Sequence, residues 1–237
     1  MLANTEPDWP QHVATLISNT NEVGRLLSIH GAFTGGKTGR PKVPLEVLNK
    51  SAVVLLVACW EAYVEDLATA AFDAMLARAT SPQAFPRKVL ALASKALKES
   101  NDQTSVWALA QDGWKQVLSD HRRQLFKRYV GTLNTPRPAQ VDTLFGCLIG
   151  IKALSKSWKW SGRSNSSVLQ ALNGLVTLRG EIAHRVQTSR AVHKTYITQS
   201  LELVNRVAAV SSNQVREFVA QRVHDLPWPD VFYGRTG

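Results

Sequence analysis

Residues 51–67 read SAVVLLVACWEAYVEDL, and this stretch decides the fold class of the 237-residue chain. Apolar residues in and around it recur at steps of three and four, the spacing of one face of an α-helix. These residues are Leu45, Leu48, Ala52, Leu55, Cys59, Tyr63 and Leu67. Residues 52–60 are apolar all round, which predicts a helix that its neighbours bury on every side. Pro44 suits the first turn of this helix.

Helical spacing continues on both sides of this segment. It predicts a first helix after Asp8-Trp9-Pro10, a shorter helix opened by Ser81-Pro82, and further helices over about 106–130, 141–151, 166–184 and 189–223. Residues 155–167 form a polar loop rich in tryptophan and serine, the ordered loop best suited to carry function. The tail from Leu226 leaves the helix and either packs back or frays. The sequence therefore predicts an all-α bundle.

Positive charge is concentrated in one part of the chain. The net charge is +10, and residues 113–163 contain ten Lys or Arg with only two acids. The block also carries the aromatic residues Trp114, Phe126, Tyr129, Trp158 and Trp160. Together they suit phosphate contact with base stacking, or else a solvated basic face with the aromatics turned inward. The candidate RNA-binding residues are Arg122, Arg123, Lys127, Arg128 and Lys159.

Other classes of protein find little support in the sequence. Cys59 and Cys147 lie in apolar runs, which indicates buried reduced thiols rather than a disulfide or a metal site. Five further histidines lack metal-ligand spacing and are predicted to be ordinary surface residues; they are His12, His30, His121, His193 and His224. The longest apolar run, residues 52–60, is shorter than the roughly 20 residues that span a bilayer. With no signal peptide at the start, we expect a cytoplasmic protein with no membrane partner.

One motif is a false lead. Residues 31–38 read GAFTGGKT and match G-x-x-x-x-G-K-[ST], the phosphate-binding loop of nucleotide-binding enzymes. That loop needs a strand before it and a helix directly after it. Here the preceding residues are helical in pattern, while Gly39, Pro41 and Pro44 prevent a helix from starting at Thr38. We therefore expect an interhelical loop and no nucleotide cofactor.

Arg179 and His184 are the strongest candidates for chemistry. Histidine exchanges a proton near neutral pH, and arginine presents a planar fork of donors that suits a phosphate. Together they supply what is needed to cleave a phosphodiester next to a 2′-hydroxyl. Five helical positions place the two side chains about 140° apart. They converge either if the helix distorts, which Gly180 permits, or across the two-fold axis of a dimer.

The motif in residues 175–185, together with residues 51–67 and 140–160, resembles the HEPN superfamily and within it the RiboL-PSP-HEPN family. The family motif often has a polar residue after the arginine, where this chain has Gly180. The resemblance implies an all-α HEPN-like bundle with extra helices, usually a two-fold homodimer. It also implies a metal-independent endoribonuclease, often a toxin or antiviral defence effector, although many relatives are inactive.

The resemblance also implies a domain organisation. One domain covers residues 1–237, with its core at about 44–220. An N-terminal helix and glycine-rich loop occupy residues 1–43, and an irregular tail occupies residues 225–237.

The resemblance further implies roles for individual residues. His184 transfers protons and Arg179 offsets phosphoryl charge, while the RNA brings its own nucleophile and needs no metal or cofactor. Glu61, one turn from Glu65, either orients this pair or is a surface charge. Arg185 either extends the phosphate-binding surface or neutralises the helix end. One competing hypothesis is a non-catalytic module that binds RNA, a nucleotide or a partner protein. Another is an antitoxin-like or effector-associated subunit that acts only inside a larger complex. The partner proteins expected are an antitoxin or another component of a defence system.

Overall fold

The computed structural model describes residues 9–34, 45–130, 136–185 and 191–233. Within these ranges the chain forms α-helices and short 3₁₀ segments but no strand. The helices are α1 (Gln11–Thr34), α2 (Glu46–Arg78), α3 (Arg87–Ala93), α4 (Lys95–Lys98), α5 (Gly113–Val130), α6 (Pro138–Leu148), α7 (Asn165–Arg185) and α8 (Lys194–Val223). The 3₁₀ segments are Pro82–Ala84, Gln103–Leu109 and Leu154–Ser157. The predicted all-α fold is confirmed.

Helix α2 is the centre of the bundle and packs against α1, α6, α7 and α8. Its large aromatic side chains are buried, and their polar atoms are paired, as buried tyrosine and tryptophan require. The Tyr63 hydroxyl donates to the Ala208 carbonyl of α8 at 2.6 Å. The Trp60 indole N–H donates to the Pro136 carbonyl at 3.0 Å. These bonds tie α2 to α8 and to the start of α6.

One side of α2 is open, so the prediction that residues 52–60 are buried all round was wrong. Ser51 and Ala58 are exposed, and the side chain of Val47 is 68% exposed. We call this surface the α2 stripe; it consists of Val47, Ser51, Val54, Ala58, Glu61 and Glu65. Its members follow one another at steps of three and four, so they lie on one face of the helix. The helices packed on α2 cover only its other faces.

Helix α2 is also long and apolar enough to cross a bilayer by length and composition alone. Its most apolar window has a mean hydropathy of 1.5, and 50% of that window is buried. The central helix of a globular bundle meets the same criterion, because apolar neighbours enclose it.

The chain after α8 packs back on the bundle. The Asn213 side chain exchanges two hydrogen bonds of 2.8 Å with the backbone of Val231. Arg216 Nε donates to the Trp228 carbonyl at 2.8 Å. The buried core contains Val231 and also residues of α1. The hydrophobic core therefore includes side chains of α1 and of the tail as well as those of the central helices.

The basic helix starts later than predicted. Residues 103–109 are a 3₁₀ segment, and α5 begins at Gly113 instead of near Val106. The carboxylate of Asp102 caps the 3₁₀ segment by accepting the Thr104 N–H at 2.9 Å. A Cβ at Gly113 would lie 2.1 Å from the Ala108 carbonyl oxygen, so the turn into α5 requires glycine. The helical spacing of residues 106–112 concealed this break.

Two histidines differ from their predicted surface positions. His12 is 3% exposed and His121 is 7% exposed. His12 Nε2 lies 2.9 Å from the Ser212 hydroxyl, and His121 Nε2 lies 3.1 Å from the Cys147 carbonyl oxygen. Each imidazole is therefore buried with a hydrogen-bond partner, which offsets the cost of its desolvation.

The glycine-rich motif begins inside a helix. Gly31 to Thr34 are the last residues of α1, so a helix precedes the loop instead of the strand that a phosphate-binding loop requires. Residues 35–44, which carry the rest of the motif and Pro44, lie outside the described residues.

Candidate functional site

Helix α7 carries both motif residues and is continuous over its 21 residues. The buried Leu172, Leu175 and Leu178 hold one face of α7 in the core. Gly180 is helical, and a Cβ there would meet no atom within 4 Å. The distortion that Gly180 permits is therefore not used. Arg179 and His184 stay about 140° apart around a regular helix.

Arg179 is half-buried, and its positive charge is close enough to Glu61 of α2 to influence the pKa of that carboxyl group. Burial raises the pKa of Glu61 above its ordinary value, while the positive charge of Arg179 opposes this shift. Within the described part of the chain, Arg179 forms no hydrogen bond. Its donors are therefore available to an anion, next to a carboxylate that holds the guanidinium by charge.

The neighbouring acids of α2 behave differently. Burial raises the pKa of Glu65, and the charges of Glu61 and Asp66 raise it further. Burial also raises the pKa of Asp66. Neither pKa responds to Arg179. Glu61 and Glu65 lie one turn apart, and of these two only Glu61 interacts electrostatically with Arg179.

His184 lies near the end of α7 and its side chain is exposed. An imidazole buried in the core would have excluded a role in proton transfer, and this arrangement is not observed. The side chain of Arg185 lies outside the part of the chain that the structure describes. The site therefore consists of an exposed histidine on one side of α7 and an arginine–glutamate pair on another.

Sequence reasoning missed Arg137, which also contacts α7. Its Nη2 donates to the Thr177 hydroxyl at 3.1 Å, and its Nη1 lies 3.3 Å from the Asn173 carbonyl oxygen. The prolines at 136 and 138 marked this region only as a break between helices. The contacts join residues about forty positions apart, so no local pattern reveals them.

Two of the three candidate RNA-binding arginines of α5 form ion pairs with carboxylates. Arg122 forms an ion pair with Asp73 and lies over the Phe72 ring, and Arg123 pairs with Asp120 at 2.9 Å. Lys127, Arg128 and Lys159 have exposed side chains. Helix α5 packs mainly against α3, α6 and the 103–109 segment, whereas α7 packs mainly on α2 and α8. The structure therefore does not gather the cations of α5 around Arg179.

The aromatics of the basic block point inward where the structure describes them. Trp114 and Trp158 are buried, while Phe126 and Trp160 are partly buried against the core. The side chain of Tyr129 lies outside the described residues. Of the two alternatives, the solvated basic face fits these four aromatics, and a base-stacking platform does not.

The loop over residues 155–167 is occupied by structural hydrogen bonds. Ser155 donates from its backbone N–H and its hydroxyl to the Asp142 carboxylate, at 2.7 and 2.6 Å. The Asn165 amide donates to the carbonyls of Ser155 and Trp158. Trp158 Nε1 donates to the Ser211 hydroxyl at 2.8 Å. These bonds hold the loop on α6 and α8, so the polar groups that form them serve the fold.

The described residues do not contain a cluster of metal-ligating side chains. Among the described residues, no three His, Cys, Asp or Glu side chains are placed to hold a metal ion. The chemistry that α7 offers is proton transfer and charge stabilisation by side chains.

A bundle around a buried central helix, with an Arg–x₄–His motif at the end of a packed helix, is the architecture of a HEPN protein. The chain belongs to the RiboL-PSP-HEPN family, whose family model matches residues 16–216. The match begins within α1 and ends within α8, so it includes every element that positions Arg179 and His184. No curated protein and no solved structure gives a significant match.

Proposed function

We propose that this protein is a metal-independent endoribonuclease. The observation that supports the proposal is the character of α7, which presents an exposed imidazole and a guanidinium with uncommitted donors on one rigid helix. Proton transfer needs an accessible histidine, and a phosphoryl group needs a donor fork that no carboxylate occupies.

The proposed reaction uses the ribose 2′-hydroxyl of the substrate as nucleophile. His184 removes its proton or protonates the leaving 5′-oxygen, and Arg179 stabilises charge on the phosphoryl oxygens. Glu61 positions Arg179 by electrostatic attraction without touching the substrate. The products are a 2′,3′-cyclic phosphate, or its 3′-phosphate hydrolysis product, and a 5′-hydroxyl. No metal is required, since the nucleophile belongs to the RNA.

A homodimer solves the geometric problem that the regular helix creates. Arg179 and His184 of one protomer point about 140° apart, but a two-fold axis brings one protomer's Arg179 near the partner's His184. The α2 stripe beside Arg179 is open and partly apolar, which suits such an interface. Gly180, with open space where a Cβ would lie, allows a close approach of the second chain.

The cellular role that fits this chemistry is a toxin or an antiviral defence effector acting on cytoplasmic RNA. Such an enzyme needs control, so we propose a partner protein, an antitoxin or another component of a defence system, that holds it inactive. Membership of the RiboL-PSP-HEPN family supports this role.

The decisive experiment incubates the purified protein with structured RNAs in EDTA and identifies the product ends. We expect cleavage with cyclic or 3′-phosphate ends, and a loss of 10²–10⁴-fold in rate for His184→Ala. Arg179→Lys also fails, because lysine keeps the charge but loses the two-donor fork. His224→Asn is the matched control, since it removes another exposed imidazole and asparagine tolerates the left-handed backbone there (φ 56°).

Several results would reject parts of the proposal. Full activity in His184→Ala, or metal-dependent products with 5′-phosphate ends, rejects the mechanism. Cleavage by a protein that light scattering shows to be monomeric rejects the composite site. A wild-type protein that binds RNA but cleaves none of it is a binding module.

A further inference from the structure

Arg137 rests on the exposed side of α7 through neutral acceptors. Its Nη2 donates to the Thr177 hydroxyl at 3.1 Å, and its Nη1 approaches the Asn173 carbonyl and amide oxygens at 3.3 and 3.4 Å. Thr177 is exposed, and Arg137 and Asn173 are half-buried. A guanidinium has five donors, so these contacts leave part of the fork unused.

The position of Arg137 is fixed from both sides. The preceding Pro136 carbonyl accepts the indole N–H of Trp60, which is 1% exposed in the core. The Arg137 backbone N–H donates to the Gln140 side chain at 2.9 Å in the first turn of α6. Pro138 occupies the first position of that helix. The side chain therefore starts from an ordered backbone, which reduces the entropy that a ligand must offset.

Among the described residues, no carboxylate neutralises the charge of Arg137. Two other half-buried arginines pair with carboxylates, Arg78 with Asp225 and Arg206 with Glu202. The first turn of α6, which follows Arg137, contains no acid. The N-terminus of α6 adds partial positive charge at the same place. An anion that reaches Arg137 therefore meets uncompensated positive potential.

Arg137 and His184 lie along one side of α7. Thr177, which holds Arg137, is seven residues before His184, so the two positions differ by about 20° around the axis and by about 10 Å along it. Arg179 lies on a different side, towards Glu61. A nucleotide chain with its scissile phosphate at His184 can therefore extend along α7 towards Arg137.

We propose that Arg137, held in place by Thr177, forms a second phosphate subsite for the RNA backbone. This subsite rests on the proposed ribonuclease function and deepens it: His184 acts at the scissile phosphate, and Arg137 grips a neighbouring one. It binds RNA of any sequence, because a phosphate contact carries no base information.

The test measures binding of a labelled oligouridylate over a range of salt concentrations, in a His184→Ala background that prevents cleavage. Loss of one phosphate contact to a single strand lowers the slope of log K against log salt by about 0.7. We expect this change for Arg137→Gln, with affinity about tenfold lower at low salt. Arg78→Gln is the matched control, since it removes a guanidinium that already has a carboxylate partner. Arg137→Lys should retain the slope, because a lysine also neutralises one phosphate.

The outcomes separate the subsite from the catalytic proposal. An unchanged slope in Arg137→Gln overturns the subsite, even if the wild type cleaves RNA. A slope that falls equally in Arg137→Lys and Arg137→Gln, with a lowered melting temperature in both, assigns Arg137 a structural role and also overturns it. A fall in Arg137→Gln alone supports the subsite, even if the wild type cleaves nothing and the ribonuclease proposal fails.

Discussion

His12 and His184 occupy two opposite kinds of environment in the same bundle. His12 is 3% exposed, its Nε2 lies 2.9 Å from the Ser212 hydroxyl, and its ring meets the edge of Trp228 at 5.0 Å. His184 is exposed near the end of α7 and forms no hydrogen bond or ion pair with the described residues. The same side chain therefore serves packing in one place and is accessible for proton transfer in the other.

The buried site around His12 links three parts of the chain. The Trp228 indole N–H donates to the Ser212 hydroxyl at 3.1 Å, so one serine joins the tail to α8 and to His12 of α1. The Tyr63 ring of α2 lies 5.9 Å from His12. Burial lowers the pKa of His12 to about 4. This imidazole is therefore neutral wherever the fold is intact near neutral pH.

The largest expected effect of this contrast is that the protein loses stability in acid because His12 is buried. Unfolded His12 binds a proton below its ordinary pKa of 6.5, whereas folded His12 does so only near pH 4. The unfolded state thus binds more protons between these values, so stability falls as the pH falls from 6.5 to 4. Each pH unit in this window is worth about 1.4 kcal/mol, and the loss approaches about 3 kcal/mol. Denaturant unfolding at several pH values measures it.

The control for this prediction is a pair of neutral substitutions. His12→Gln should lose less stability between pH 7 and 4 than the wild type, while His184→Gln removes an exposed imidazole and controls for the substitution itself. Burial raises the pKa values of Glu61, Glu65 and Asp66, so their protonation stabilises the fold in acid. These acids are common to all the variants, and the differences therefore isolate the histidines. Equal pH dependence in His12→Gln and the wild type would contradict the assignment.

A smaller effect is expected at the α7 site, where Glu61 is the acid next to Arg179. Glu61→Gln removes the charge that attracts Arg179 and should slow RNA cleavage by about tenfold, the value of about one pKa unit of electrostatic interaction. Glu65→Gln is the matched control on the same stripe, because the pKa of Glu65 does not respond to Arg179. Neither change should lower the melting temperature, since each replaces a partly desolvated carboxylate by a neutral amide. Equal cleavage rates for the two variants would exclude a positioning role for Glu61.

The fold was predictable because its helices are long and their apolar periods are regular. The central helix around Trp60 and the motif helix were both found from spacing alone. The start of α5 was not, because helical spacing in residues 106–112 conceals a 3₁₀ segment that closes on Gly113. The burial of His12 was also missed, since it depends on Trp228, more than two hundred residues away.

The site was predictable only where the motif is local. Arg179 and His184 are five positions apart in the sequence, so their resemblance to the HEPN motif can be read from the sequence alone. Arg137 reaches α7 through a fold-dependent contact with Thr177, which no spacing could show. The pairing of Arg122 with Asp73 likewise joins distant positions and changes how a basic run is interpreted.

The smallest expected effect extends the contrast from histidines to the cations of α5. Arg122 and Arg123 are neutralised by Asp73 and Asp120, whereas Lys127 has an exposed side chain that forms no ion pair with the described residues. Lys127→Gln should therefore weaken RNA binding at low salt by only a few-fold and lower the salt slope by up to about 0.7. Arg123→Gln should change the slope less, because Arg123 is already paired with Asp120 and therefore neutralises no phosphate. A larger fall in slope for Arg123→Gln than for Lys127→Gln would show that an RNA phosphate displaces Asp120 from Arg123. The ion pair would then not keep Arg123 from a ligand, whereas burial does keep His12 from one.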